Sequence, residues 1–221
     1  MERRRLNGVS AAIFDLDGTL FDSVGLWHEI DEIFLSKRGK APTNEYKTKI
    51  AALGFTATAH FTVEYYGLED TPEQLMAEWD ELARDAYSHT IKLFDGVREY
   101  LEECRAAGIA IAAVTSLHIE LARAGLENNG IMDYFEKVFT TDELKLPKSS
   151  PEIYRRAARE LGVDARACVV FDDVAEALSA AKRAGMTTVG IDGKMFKIGL
   201  SDPSADYIVD NLMNAPQLIA R

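Results

Sequence analysis

The sequence has few of the groups that build redox centres, zinc sites or disulfide frameworks. Its 221 residues hold 2 cysteines, Cys104 and Cys168, far apart and each inside an apolar-periodic segment. That spacing suits neither a metal site nor a disulfide scaffold, so both read as reduced core residues. Three of the 4 histidines, His60, His89 and His118, have no partner pattern and read as surface or structural residues. Long apolar runs are missing too: the run behind the basic head Met1–Arg5 spans about six residues and stops at an acid, too short for a secretory signal or a membrane span. Positive charge is scarce, with 25 Lys and Arg against 36 Asp and Glu. The net charge of −11 repels nucleic acid and anionic membranes. Neither repeats nor low-complexity segments are visible. The expectation is a cytoplasmic chain with no nucleic-acid or membrane partner, monomeric or weakly dimeric. Any anion site in it must be built locally, from a cation, a lysine and backbone amides.

What the chain does have is a short apolar run that ends on acids. Ala11 to Ser23 reads AAIFDLDGTLFDS. Val9 to Phe14 has the length and composition of a strand buried on both faces. Asp15 falls at its carboxyl end, where ligands of open α/β sheets bind. Asp17 and the glycine after it add a second carboxylate and a tight turn with free amides, a suitable place for a hard cation and its anion.

Beyond Phe21 the pattern becomes helical, with Leu26, Trp27, Ile30, Ile33 and Phe34 on one face. Ala41 to Gly67 predicts two short helices, and Thr71-Pro72-Glu73-Gln74 predicts a capping box opening a further helix through Tyr87. An insert of about 70 residues, a small helical bundle, is expected here. The chain then alternates: strands at Ile109–Val114, Lys137–Thr140, Cys168–Phe171 and Thr187–Ile191, with helices between and an edge strand at Tyr207–Val209. Such alternation predicts an α/β class, a Rossmann-like parallel sheet core with an inserted α-helical cap. The expected division is 1–22 and 93–221 for the core and 23–92 for the cap.

Four strand ends carry polar groups: Asp15 and Asp17, Thr115 and Ser116, Lys148, and Asp172 with Asp173. Singly, each has an ordinary explanation as a helix cap or a surface residue. Together they suit phosphoryl transfer. A carboxylate can attack phosphorus and leave again, a divalent cation offsets anion repulsion, and hydroxyls with a lysine hold the transferring oxygens. A nearby second acid can protonate the leaving oxygen.

Asp15-Leu16-Asp17-Gly18-Thr19-Leu20-Phe21-Asp22-Ser23 resembles the first motif of the haloacid dehalogenase superfamily, most of whose members are magnesium-dependent phosphohydrolases. Val114-Thr115-Ser116, the Lys148, Pro151 and Tyr154 spacing, and Asp172-Asp173 with the Ala180–Met186 stretch resemble its later motifs. The likeness runs from about Ala11 to Ile191 and places the cap in the subgroup with helices after the first motif. It implies that Asp15 is the nucleophile and a metal ligand. Asp17 becomes the general acid/base, with its carbonyl on the metal, and Asp172 and Asp173 hold Mg²⁺. Thr115, Ser116 and Lys148 bind the transferring phosphate, and Lys148 also serves catalysis. Trp27, His28 and Phe55 are expected to contact substrate from the cap.

Three departures stand out. Pro147 and Ser149 flank Lys148 where the family usually has glycine and proline. Val174-Ala175-Glu176 replaces a hydroxyl-bearing continuation and adds a carboxylate. Phe55 and Thr56 stand where related enzymes often have arginine, leaving Lys47 and Lys49, expected as solvated surface lysines, as the nearest cap cations. The expected activity is therefore a phosphatase acting on a small phosphorylated metabolite. A sugar-phosphate mutase resembling β-phosphoglucomutase is the alternative, followed by a phospho-accepting signalling or binding protein without turnover. A dehalogenase is disfavoured because those members lack the acid that Asp17 supplies.

Overall fold

In the computed structural model, which describes residues 3–50, 53–192 and 203–220, the acid-terminated run lies near the middle of a parallel sheet. The elements begin with β1 (Arg5–Val9) and β2 (Ala11–Phe14), followed by α1 (Val24–Ser36), α2 (Asn44–Ile50), α3 (Phe55–Tyr66) and α4 (Pro72–Asp85). A π-helical turn, Ala86–Thr90, extends α4. The chain continues through α5 (Val97–Ala106), β3 (Ala110–Thr115), α6 (Ile119–Asn128), β4 (Lys137–Thr140), α7 (Thr141–Leu144) and α8 (Pro151–Glu160). It closes with β5 (Cys168–Asp172), α9 (Ala175–Arg183), β6 (Thr187–Ile191), β7 (Tyr207–Val209) and β8 (Gln217–Ala220).

Six strands form one sheet in the order β4-β3-β2-β5-β6-β7, all parallel. Strand order reverses at β2, so the crevice beyond the carboxyl ends of β2 and β5 is the position such a sheet offers a ligand. Both faces are covered. Phe14 and Phe171 stack at 4.6 Å in the core on one side, while Ile13 and Val170 pack with Tyr154 and Ala157 on the other. This two-sided burial explains the unbroken apolar runs of β2 and β5.

The expected first strand, Val9–Phe14, is divided. Gly8 takes a left-handed conformation (φ 74°) at a register shift, and Val9 belongs to β1, which pairs in parallel with β8 as a separate two-stranded sheet. Only four residues, Ala11–Phe14, enter the main sheet. The basic head falls partly outside the described residues, at Met1 and Glu2.

Between residues 24 and 90 the described elements, α1 to α4 and the π-helical turn, are all helical, as the spacing predicts. Thr71 and Gln74 form both bonds of the capping box. The chain leaves and re-enters the sheet layer along two paired stretches, with Asp22 N donating to Lys92 O (2.9 Å) and Phe94 N to Leu20 O (3.0 Å). The α3 end of the insert touches the sheet domain, where Thr56 Oγ1 donates to Asp142 Oδ2 at 3.1 Å. Cys104 and Cys168 are buried and free. Among the described residues no helix is long and apolar enough to cross a membrane.

Candidate active site

Parallel register sets the first two acids side by side. Phe14 pairs with Phe171, and Asp15 N donates to Phe171 O at 2.9 Å, so Asp15 and Asp172 emerge together from neighbouring strands. Lys148 Nζ lies 2.8 Å from Asp15 Oδ1 and 2.6 Å from Asp172 Oδ2. All three are buried. Desolvation alone would lower the Lys148 pKa, but the two carboxylates outweigh it and hold the ammonium charged. Pro147 and Ser149 thus leave the lysine at the strand ends. Asp172 is pinned on both oxygens, since Oδ1 accepts from Val174 N at 3.0 Å.

Asp173 has no such compensation. Both of its oxygens are buried without a hydrogen-bond partner. Burial, then the charges of Asp15 and Asp172, raise its pKa well above the ordinary carboxylate range. Gly18, at φ +77°, makes room for this side chain: a Cβ there would lie 2.2 Å from Asp173 Oδ2. Asp15, Asp172 and Asp173 each offer an oxygen within 4.8 Å of the others. Three buried carboxyls share one ammonium, so a further cation is needed before all three ionise, and hard oxygen donors are what a small divalent cation takes. The donor set fits a metal ion, and the unpartnered Asp173 oxygens are its clearest sign. Neither the Asp17 carboxylate nor Glu176 joins this cluster.

Asp17 is held instead by the helical insert. Trp27 Nε1 donates to its Oδ2 at 2.8 Å, and the Tyr87 hydroxyl lies 2.6 and 2.8 Å from its two oxygens. Burial pushes the Asp17 pKa up to about 6, with the Tyr87 and Trp27 bonds pulling down and the Asp15 charge pushing up. An acid poised there can change protonation state near neutral pH. Trp27, expected to touch substrate, has its indole N–H committed to Asp17 and to Tyr87 Oη, 3.0 Å away, while the residue still lines the cavity. Tyr87 is a functional candidate that sequence reading absorbed into an apolar stripe.

A cavity of about 680 Å³ opens above these groups. Nine of the ten expected site residues line it: Asp15, Asp17, Trp27, His28, Phe55, Thr115, Ser116, Lys148 and Asp173. Asp172, the tenth, is not on the lining but contacts it through Lys148. Thr115 Oγ1 accepts from Leu117 N at 3.1 Å, which shapes the turn after β3 and leaves the hydroxyl hydrogen for a ligand. His28 is exposed on the wall. Phe55 is buried, edge-on to Trp27 and Trp79 and tilted against His118. Of the two cap lysines, Lys49 pairs with Glu45 at 2.9 Å on the surface, but Lys47 is half-buried on the cavity wall. Asp31, which sequence reading also missed, stands near it.

Residues 12–191 match the family described as haloacid dehalogenase-like hydrolase, and the chain belongs to that family. It is 29% identical over 181 residues to a phosphorylated carbohydrates phosphatase of Thermotoga maritima, covering 82% of this chain and 84% of that one. It is 26% identical over 188 residues to hexitol phosphatase B of Escherichia coli, with 82% of each chain covered. Its fold is similar to the crystal structure of CbbY from Rhodobacter sphaeroides in complex with phosphate, at a TM-score of 0.80 and 22% identity over 92% of this chain and 95% of that one.

Proposed function

We propose that this chain is a Mg²⁺-dependent phosphatase that releases phosphate from a small phosphorylated metabolite through an aspartyl-phosphate on Asp15. The observation that carries the reading is the buried set at the ends of β2 and β5: Asp15 and Asp173 lining a cavity, Lys148 between Asp15 and Asp172, and Asp17 held apart at a raised pKa. The named activities of the Thermotoga and Escherichia relatives support the same substrate class. We assign residues 1–22 and 93–221 to the catalytic core and 23–92 to the cap.

Lys148 occupies Oδ1 of Asp15, and Oδ2 attacks phosphorus as the bond to the leaving oxygen breaks. Asp17, protonated, gives its proton to that oxygen. It then takes a proton from the water that attacks the acyl phosphate, so that Asp15 returns as a carboxylate and inorganic phosphate departs. The Thr115 and Ser116 hydroxyls and Lys148 hold the three non-bridging oxygens of the transferring phosphoryl group, whose charge is spread in the transition state. Asp15, Asp172 and Asp173, with the Asp17 carbonyl, would hold Mg²⁺, which offsets the repulsion between carboxylate and phosphate.

Incubation with Mg²⁺ and a panel of phosphate monoesters, following inorganic phosphate and sugar-phosphate isomers together, tests the reading. Stoichiometric phosphate release is the expected result. Interconversion of glucose 1-phosphate and glucose 6-phosphate without phosphate release would replace it with the mutase.

A further inference from the structure

The cavity has a second polar end that phosphate transfer does not use. Along α1, Asp31 lies one turn beyond Trp27, and from α2 come Asn44, Lys47 and Thr48 at helical spacing. Ile50, Leu53, Phe55, Trp79 and Leu117 add apolar wall to the same cavity. A volume of about 680 Å³ accommodates a phosphate together with a leaving group of sugar size, reaching from one end to the other.

Asp31 is only 8% exposed and sits on the stripe that also carries Ile30 and Phe34. An acid there needs donors, and its neighbours supply few. Lys47 acts on it through charge but forms no direct ion pair with it among the described residues. The Tyr46 hydroxyl has one hydrogen for two acceptors, Asp31 and Thr62 Oγ1 at 2.9 Å, and Thr62 spends its own hydrogen on Thr58 O. From α3 the Tyr66 hydroxyl also feels Asp31, but donates to Ala41 O. On α1 itself His28 is the other titratable wall residue. Burial therefore pushes the Asp31 carboxyl up to about 7, against the lowering influence of Lys47 and Tyr46.

A carboxyl short of donors beside an ammonium favours a partner that donates one hydrogen bond and accepts another. A hydroxyl does both. A ligand ammonium would meet Lys47, and a second anion would be driven against buried Asp31. We infer that Asp31 and Lys47 form a recognition site for the far end of the leaving group, which selects a hydroxyl-bearing end and rejects a second anion. The inference rests on the phosphatase reading above and adds a chemical class to its substrate: a monophosphate whose remote end carries hydroxyls.

Glucitol 6-phosphate and 6-phosphogluconate share their phosphate end and differ remotely as CH₂OH against carboxylate, so their inhibition constants against p-nitrophenyl phosphate hydrolysis isolate this site. We expect glucitol 6-phosphate to bind about tenfold more tightly to the native enzyme, and Asp31→Asn to bring the two within about threefold. Lys47→Gln should widen the preference, a change of opposite sign that a merely structural role would not give. Equal constants for the native enzyme, no inhibition by either compound, or a ratio unmoved by Asp31→Asn would overturn the inference. Should circular dichroism show that variant unfolded, an unchanged ratio in Lys47→Gln overturns it. Failure to hydrolyse p-nitrophenyl phosphate with Mg²⁺ would instead remove the phosphatase reading, and the inference with it.

Discussion

Asp31 and Asp17 both hold their protons unusually well, and the difference between their surroundings sets what each does. Two aromatic donors grip Asp17, whereas Asp31 is buried with its donors shared or distant. The stability consequence for Asp31 comes from its pKa, 3.8 as the ordinary value and about 7 in the fold. Between those values the native state keeps a proton that the unfolded chain releases, so the folded state loses stability as pH rises, and above about 7 the loss is complete. Asp31→Asn removes the buried charge. Urea denaturation should find the variant more stable by on the order of 2 to 4 kcal/mol at pH 8 and no different near pH 4. An absence of gain at pH 8 would show that Asp31 is better compensated than its contacts indicate. The places of Asp15, Asp172 and Asp173 were legible in the sequence because each lies at a strand end, and that of Lys148 because its spacing to Pro151 and Tyr154 sets it just ahead of α8. Asp31 and Tyr87 were not legible, because both occupy apolar helical stripes and reach the cavity only through the packing of one helix on another.

At the scale of elements, the junction of α4 with its π-helical turn links the helical insert to the acid chemistry. A regular α-helix carries its stripe onward at a fixed angle, and the extra residue per turn in a π-turn rotates the later side chains to a new direction. Tyr87 lies in that turn, edge-on to Phe21 at 6.1 Å, with its hydroxyl on Asp17. Its bond lowers the Asp17 pKa, so Tyr87→Phe should raise it. If Asp17 is the proton donor, the falling limb of the kcat/KM profile, where Asp17 loses its proton, should move upward by about one pH unit. An unshifted limb, with kcat/KM otherwise altered, would make the tyrosine a packing residue only. The capping box of α4 was readable from four residues, since its bonds are local. The π-turn was not, and the stripe through Tyr87 was read as one continuous helix.

For the whole molecule, the parallel alternation of strands and helices and the helical insert after the first motif were legible, because alternating strands and helices admit few connections. The two-stranded β1/β8 sheet was not. Its pairing of Arg5 with Gln217 joins the two ends of the chain, and nothing local in either segment announces the partner. Charge is the other molecular property with a measurable outcome. A chain of net charge −11 concentrates three buried carboxylates around one lysine. Mg²⁺ should therefore raise the melting temperature by several degrees, an effect that Asp173→Asn reduces. Equal melting temperatures in Mg²⁺ and in EDTA would count against a metal at these acids. The central claim is that Asp15 performs the transfer, and its most direct test is inorganic phosphate release from p-nitrophenyl phosphate with Mg²⁺ by the native enzyme and by Asp15→Asn, each checked for folding. A loss of at least about a thousandfold is expected in a variant that remains folded, and activity within about tenfold of native would remove Asp15 as the nucleophile.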